Sequence, residues 1–222
     1  LSSDFLKHPY KLPNFGETTD EATSIVAEFE IFLGEKEEYI LKKLLGKAFY
    51  DELVDEFEAL TAWVTATAYV TGNERTYERK LWRALQNHTS GSGNLPAEGS
   101  AYWELVTDNV WANFFFGADY TYSDKTYEWV GMAELLKPYI YQAWLRDTYD
   151  NHTGAGIVVA ANENGVDISP AFRISNAFNK FSELAGGQYC MKNTLYGFLY
   201  VNEADLAEFE YAPQGFINSF GI

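Results

Sequence analysis

Apolar residues recur every three to four positions in several stretches of the chain, and the widest apolar stripe lies within residues 127–181. This spacing predicts a core helix, because such residues share one face of a helix with 3.6 residues per turn. Pro138 lies inside the stripe and predicts a kink. The pattern resumes after Ser169 and Pro170, which predicts a second helix. The stripe consists of Trp129, Ala133, Leu136, Ile140, Ala143 and Trp144.

A long amphipathic helix is predicted near the N-terminus. Thr18 and Glu21 form a capping-box pattern, and apolar residues keep helical spacing up to Gly46, which suits a helix end. A second helix is predicted from Lys47, and a last short one over residues 190–200. We expect the polar face of the long helix to be solvated. That face carries Glu28, Glu35, Glu38 and Lys42.

Residues 61–129 give weaker signals. Residues 61–71 alternate strictly between two faces, as a strand does, but their alanines equally suit a helix, which is the interpretation we favour. Short helices are also predicted over residues 74–87, with Tyr77, Leu81, Trp82 and Leu85 facing inward, and after Ser100. Residues 110–129 concentrate aromatic side chains around one glycine, which predicts a small β-hairpin or a bent extended segment.

Together these elements predict a mainly α fold: a helical bundle with a small β-hairpin or extended element and extended N- and C-terminal arms. We expect a single domain over residues 1–222, because nothing in the composition demands two cores. Its predicted parts are an N-terminal arm (1–17), a helical body (18–210) with a flexible loop (88–96), and a C-terminal tail (211–222).

Charge is the strongest compositional feature. The net charge of −16 argues against a nucleic-acid-binding surface, because phosphate contacts need clustered Lys and Arg. It argues against binding to anionic membranes for the same reason. No apolar run approaches the ~20 residues of a membrane-spanning helix, and no signal-peptide pattern opens the chain. We therefore expect no membrane association.

Candidate chemistry is sparse. Cys190 is the only cysteine, so neither an intrachain disulfide nor a cysteine-based zinc site within one chain is expected. The glycines at 154 and 156 do not match a dinucleotide-binding fingerprint. His8, His88 and His152 have no second ligand at metal spacing. The 32 acidic residues do not single out one catalytic pair. We expect no catalytic residue, cofactor or metal.

The two ends of the chain are the best candidates for contacts with other molecules. The tail is apolar and follows the last predicted helix, and an apolar segment left in water is unfavourable. It either folds back on its own core or docks on a neighbouring molecule, and the N-terminal arm poses the same choice. Three consecutive Phe at 114–116 cannot all face one core, so one is expected to face a partner. The candidate interface residues are Tyr10, Phe15, Phe115, Phe216, Ile217, Phe220 and Ile222.

Several short motifs follow one another along the chain. They are residues 39–46, 103–106, Tyr120 and Tyr122, 129–132, 153–158, 162–164, Asn179, 195–199 and 217–222. In this order and spacing they resemble the head–tail connector (adaptor or ring) proteins of tailed bacteriophages. The likeness is to those of Bacteroidetes phages and prophages, including the crAss-like group, and covers most of residues 20–222. The loop at 88–96 and the Phe run at 114–116 have no place in the family pattern.

The resemblance implies a mostly helical structural subunit of the virion neck, made in the bacterial cytoplasm, without catalysis. It implies a homo-oligomeric ring, commonly of twelve subunits, that contacts the portal protein and tail or other ring proteins. DNA would pass through without specific binding. An acidic channel suits this role because it repels phosphate, and the helix from Asp20 to Leu45 is our candidate for lining it.

Two other functions are compatible with the residues. A carbohydrate-binding module would use exposed tryptophans and tyrosines as a stacking platform, and predicts coplanar aromatic rings on one face. A carboxylate-based hydrolase predicts a deep pocket that holds paired acidic residues with raised pKa values. A connector instead predicts apolar patches on opposite sides of one subunit.

Overall fold

A computed structural model describes residues 10, 12, 20–149, 152–153, 156–157, 171–186 and 193–206. In this part of the chain there are six helices and nine strands. The helices are α1 (Asp20–Leu45), α2 (Lys47–Ala59), α3 (Val110–Phe116), α4 (Met132–Tyr149), α5 (Ala171–Ala185) and α6 (Leu195–Val201). The strands are β1 (Ala68–Tyr69), β2 (Glu74–Tyr77), β3 (Lys80–Ala84), β4 (His88–Thr89), β5 (Trp103–Leu105), β6 (Ala118–Tyr122), β7 (Lys125–Trp129), β8 (His152–Thr153) and β9 (Gly156–Ile157).

The predicted mainly α bundle is wrong, because the fold mixes helices with four small antiparallel sheets over the described residues. Three of the sheets are two-stranded pairs: β1 with β4, β6 with β7, and β8 with β9. The fourth has the strand order β2-β3-β5. In it Arg83 of the central strand lies opposite Glu74 on one side and Glu104 on the other. An all-α assignment is wrong for the same reason.

The helix predicted over residues 74–87 is instead a β-hairpin. Glu78 and Arg79 both adopt positive φ, 49° and 58°, and two consecutive residues of that kind form the turn that closes a two-residue hairpin. Leu81 and Trp82 are buried, as predicted, but on neighbouring positions of a strand. Leu85, predicted to face inward, is exposed.

Two further helix predictions fail in the same region. Residues 61–71 contain an isolated bridge from Ala62 to Thr76 and then β1, so the strand pattern prevailed over the alanines. The helix predicted after Ser100 is β5, whose three residues pair with β3. In both places the apolar side chains gain burial in a sheet instead of on a helix face. The buried side chains there are Tyr69, Trp82, Ala84 and Trp103.

Other predictions are confirmed. The long first helix ends at Leu45 and the second begins at Lys47, with Gly46 between them at φ 80°. The hairpin predicted within residues 110–129 is β6–β7, although the short helix α3 precedes it. Helix α4 continues through Pro138. Trp129, which we placed on the core helix, is buried at the end of β7 instead.

The described residues fall into two compact units. One contains those of Leu1–Leu44 and Ala133–Gly197, and the other those of Leu45–Met132 and Phe198–Glu210. The number of folding domains stays a prediction. In the first unit, Phe29 of α1 packs edge-on against Trp144 of α4 with ring centroids 5.1 Å apart. This cluster also includes Leu12, Ile140, Tyr141 and Ala177.

The second unit has a core rich in aromatic side chains. Phe114 of α3 is fully buried, stacks on Trp129 and packs against Phe198 of α6. The indole nitrogen of Trp129 donates to the carbonyl oxygen of Phe114 at 2.8 Å, which joins the end of β7 to α3. Large rings placed edge-to-face or offset contribute about 0.5–1.5 kcal/mol per pair beyond their buried area. This core holds α3 and the β6–β7 hairpin together.

Candidate assembly surfaces

The exposed face of α1 is acidic, as the sequence predicts. Glu28, Glu35 and Glu38 are exposed, and positions three and seven apart share one side of a helix. Glu38 forms an ion pair with Lys42 one turn later. Glu28 and Glu35 have no ion-pair partner among the residues that the structure describes. The helix therefore presents to solvent two carboxylates that form no ion pair within the described chain.

Large apolar side chains are exposed on α1 and on α5. Ile31 of α1 is 68% exposed between Glu28 and Glu35, and Tyr39 is exposed further along the helix. On α5, Phe172 is 73% exposed. The sequence reasoning did not single out these residues. The available signal was their register, because Ile31 and Tyr39 lie outside the stripe that buries Phe29, Ile40 and Leu44.

A groove lies in the second unit, between the β2-β3-β5 sheet, α3 and the start of β6. It encloses about 440 Å³. An adjoining hollow of about 240 Å³ shares Arg79 and Phe116 with it. The groove combines apolar walls with charged residues at its rim. Its lining includes Arg79, Lys80, Leu81, Leu105, Thr107, Phe116 and Asp119.

The candidate interface residues have different surroundings. Tyr10 is half-buried and its ring meets that of Tyr141 edge-on at 5.4 Å, inside the cluster of the first unit. Burial is the main cause that raises the pKa of Tyr10. Phe115 is only 8% exposed and packs against Phe57 and Trp111. Their role at an interface stays a prediction. Phe15, Phe216, Ile217, Phe220 and Ile222 lie outside the described residues.

The Phe run at 114–116 is accommodated within one unit. Phe114 and Phe115 are buried, and Phe116 is half-buried and lines the groove. Helix geometry spreads three consecutive side chains over about 200°, so burying two of them requires packing on two sides of α3. Phe116 is therefore the member of the run that a partner in the groove would touch.

Among the described residues, the aromatic side chains singled out by exposure do not form the coplanar platform that a carbohydrate-binding module predicts. Five of the six tryptophans are buried and Trp63 is half-buried. Tyr122 and Tyr200 are exposed neighbours, but their rings stand nearly perpendicular, at 81°. Sugar-stacking surfaces need an exposed ring face, and in this pair the edge of one ring meets the face of the other.

Burial raises the pKa of two further titratable groups in the described residues. It is the main cause of the raised pKa of Glu37. Tyr139 packs against Phe181, and burial raises its pKa to about 12. No group of three or more His, Cys, Asp or Glu side chains gathers at metal-binding distance in the described ranges. No described helix has the length and apolar character to cross a membrane.

His88 lies in a pocket of aromatic side chains. Its Nδ1 lies 2.8 Å from the carbonyl oxygen of Gln86 and its ring contacts Tyr69, Tyr102 and Trp103. The contact with a carbonyl acceptor assigns the proton to Nδ1. His88 thereby connects the β1–β4 pair to the cluster around Trp103. His8 and Cys190 lie outside the described residues, and β8 contains His152.

Comparisons with known proteins identify no relative: no protein-family model matches the chain, and neither the curated proteins nor the solved structures contain a significant match.

Proposed function

We propose that this chain is a structural subunit of a bacteriophage head–tail connector. Copies of it assemble into a ring between the portal and the tail, around the channel through which DNA passes. The observation that carries the proposal is the exposed face of α1, where Glu28 and Glu35 lie seven residues apart without an ion-pair partner in the described chain. Repeated around a ring, such a face surrounds DNA with negative charge and weakens its adhesion.

The exposed apolar side chains support the same proposal. Ile31 and Phe172 are each more than two-thirds exposed, and removing such side chains from water favours association at ~25 cal/mol per Å² buried. Subunits of a ring bury two different surfaces against their neighbours. Isolated exposed apolar residues are common on monomers, so the test measures assembly directly.

The test is to purify the chain with and without the portal protein of the same phage and to examine particles by electron microscopy and mass photometry. We expect rings, either with the chain alone or on the portal. Phe172→Ser should lower the fraction of rings without lowering the melting temperature, whereas Asn179→Ser, exposed on the same helix, should change neither. Portal particles that never acquire rings of this chain would contradict the proposal.

A further inference from the structure

The sheet β2-β3-β5 has an open edge at the end of β5. Flanking bonds run from the Val106 nitrogen to the Leu81 oxygen and from the Leu85 nitrogen to the Tyr102 oxygen. Because hydrogen-bonded and non-bonded pairs alternate in an antiparallel ladder, Trp103 and Leu105 direct their backbone groups away from β3. Trp103 is covered, but Leu105 is 37% exposed.

The open edge therefore consists of Leu105 to Thr107. Thr107 is exposed, and its carbonyl oxygen accepts from the Asn113 side chain at 2.9 Å. The remaining outward groups are the N–H and C=O of Leu105 and the N–H of Thr107, for which the described chain supplies no hydrogen-bond partner. Unpaired edge groups beside an apolar surface are a template for adding a strand.

The groove described above lies along this edge. Leu105 and Thr107 line one side of it, and Leu81 and Phe116 form apolar parts of the wall. Its charged lining residues are Arg79, Lys80 and Asp119, and Lys80 also forms an ion pair with Glu98. A strand paired with Leu105 would place alternate side chains toward this groove. The site thus combines a backbone template, apolar walls and charged residues of both signs.

The sequence of the tail matches these three features. Residues 216–222 read Phe-Ile-Asn-Ser-Phe-Gly-Ile and contain no proline. In an extended strand, Phe216, Phe220 and Ile222 lie on one face, because side chains alternate with a period of two. Glu208 and Glu210 precede this segment and are opposite in charge to Arg79 and Lys80 of the groove.

We propose that the tail of a second copy of this chain pairs with the backbone of residues 105–107 and inserts Phe216, Phe220 and Ile222 into the groove. The inference rests on the proposed function, because the ring supplies the second copy next to each groove. Within the described chain no strand pairs with the outer edge of β5. Residues 207–222 span up to ~50 Å when extended, enough to reach a neighbouring subunit.

The experiment uses a fluorescent peptide of residues 207–222, titrated by anisotropy against the full chain carrying Phe216→Ser and Phe220→Ser. In that chain the native tail no longer competes. We expect saturable binding. Adding Leu105→Pro should weaken it about tenfold or more, because proline removes the outward N–H and is tolerated on an edge strand. Leu105→Thr keeps the N–H and should weaken binding less.

Wild-type chain distinguishes the two sources of the tail. If a second copy supplies it, wild type at nanomolar concentration binds the peptide as tightly as the tail variant does, and loses peptide as its own concentration rises. Exclusion of the peptide at every dilution would show that each chain fills its own groove and would overturn the proposal. Absence of binding to the tail variant, or equal binding after Leu105→Pro, would also overturn it.

Failure of this inference and failure of the connector proposal have different signatures. Peptide binding requires no ring, so binding without rings on the portal contradicts the connector alone. Rings that form normally with Leu105→Pro and with the tail variant contradict the docking of the tail alone. Circular dichroism and melting curves confirm that each variant is folded before either result is read.

Discussion

Gly117 and Gly131 approach each other closely where α3 leads into β6 and β7 leads toward α4. A Cβ atom built on Gly131 would lie 2.9 Å from the Gly117 nitrogen and 2.7 Å from the carbonyl carbon of Phe116. One built on Gly117 would lie 2.7 Å from the Trp129 carbonyl oxygen. Both glycines also have positive φ, 97° and 87°. This junction closes the β6–β7 hairpin against α3, and it excludes any side chain at either position.

Gly131→Ala should therefore destabilise the fold strongly. Backbone strain at positive φ and a clash with backbone atoms that cannot rotate away together cost about 2–4 kcal/mol in the free energy of unfolding. Gly34→Ala is the control, because nothing lies within 4 Å of its added methyl group inside α1. That variant should gain about 1 kcal/mol from helix propensity. Urea denaturation measures both, and equal stabilities of the two variants would contradict the role of the junction.

Local sequence signals predicted α1 and α2 well, because a helix depends on contacts between residues a few positions apart. The β2–β3 hairpin was not predicted, because its turn consists of Glu78 and Arg79, where Asn and Gly are the usual residues. Tyr77 and Leu81 also lie four apart, which imitates a helix. The strands there are set by the pairing of β3 with β5, in which Trp82 lies opposite Leu105 and Ala84 opposite Trp103, residues far apart in sequence.

The candidate surfaces also differ in whether local spacing or long-range packing determines them. The helical period alone predicted that Glu28, Glu35 and Glu38 face solvent, and the structure confirms it. The open edge at Leu105 could not be predicted, because a strand is an edge only through the order of the whole sheet. The sequence predicted that Phe115 faces a partner. Its burial against Phe57 could not be predicted, because it depends on how α2 and α3 pack.

A buried hydrogen bond ties the last helix to the first. The hydroxyl group of Tyr196 donates to the carbonyl oxygen of Leu44 at 3.0 Å, in the last turn of α1 where carbonyls lack helical partners. Tyr196→Phe should lower the free energy of unfolding by about 1–2 kcal/mol, because the carbonyl is left buried without a donor. Tyr122→Phe, exposed on β6, should change it by less than about 0.5 kcal/mol. A thermal or urea melt that fails to separate the two variants would show that water replaces the lost bond.

Burial of Glu37 on α1 should make stability depend on pH. Burial raises the pKa of Glu37 above its usual value of 4.5, so the folded chain binds this proton more tightly than the unfolded chain. The stabilisation from Glu37 is then fully present below pH 4.5 and is lost as the pH rises through the raised pKa. Glu37→Gln should match wild type below pH 4.5 and exceed its stability at pH 7. Glu35→Gln, exposed two residues earlier, is the control, and urea midpoints that show no pH-dependent gap for Glu37→Gln would contradict the effect.

The acidic face of α1 gives a direct test of whether the proposed ring repels DNA. Replacing Glu28 and Glu35 with lysine turns a repelling surface into an attracting one in every copy, and phosphate binding responds steeply to added cations. The assembled ring with Glu28→Lys and Glu35→Lys should bind duplex DNA more than about tenfold tighter at low salt, and lose this gain as salt rises. Asp55→Lys and Glu58→Lys, exposed on α2, add the same charge elsewhere and should have little effect if α1 lines the channel. Equal gains from both pairs, measured by anisotropy, or a reconstruction of the ring with a neutral or basic channel, would contradict this placement of α1.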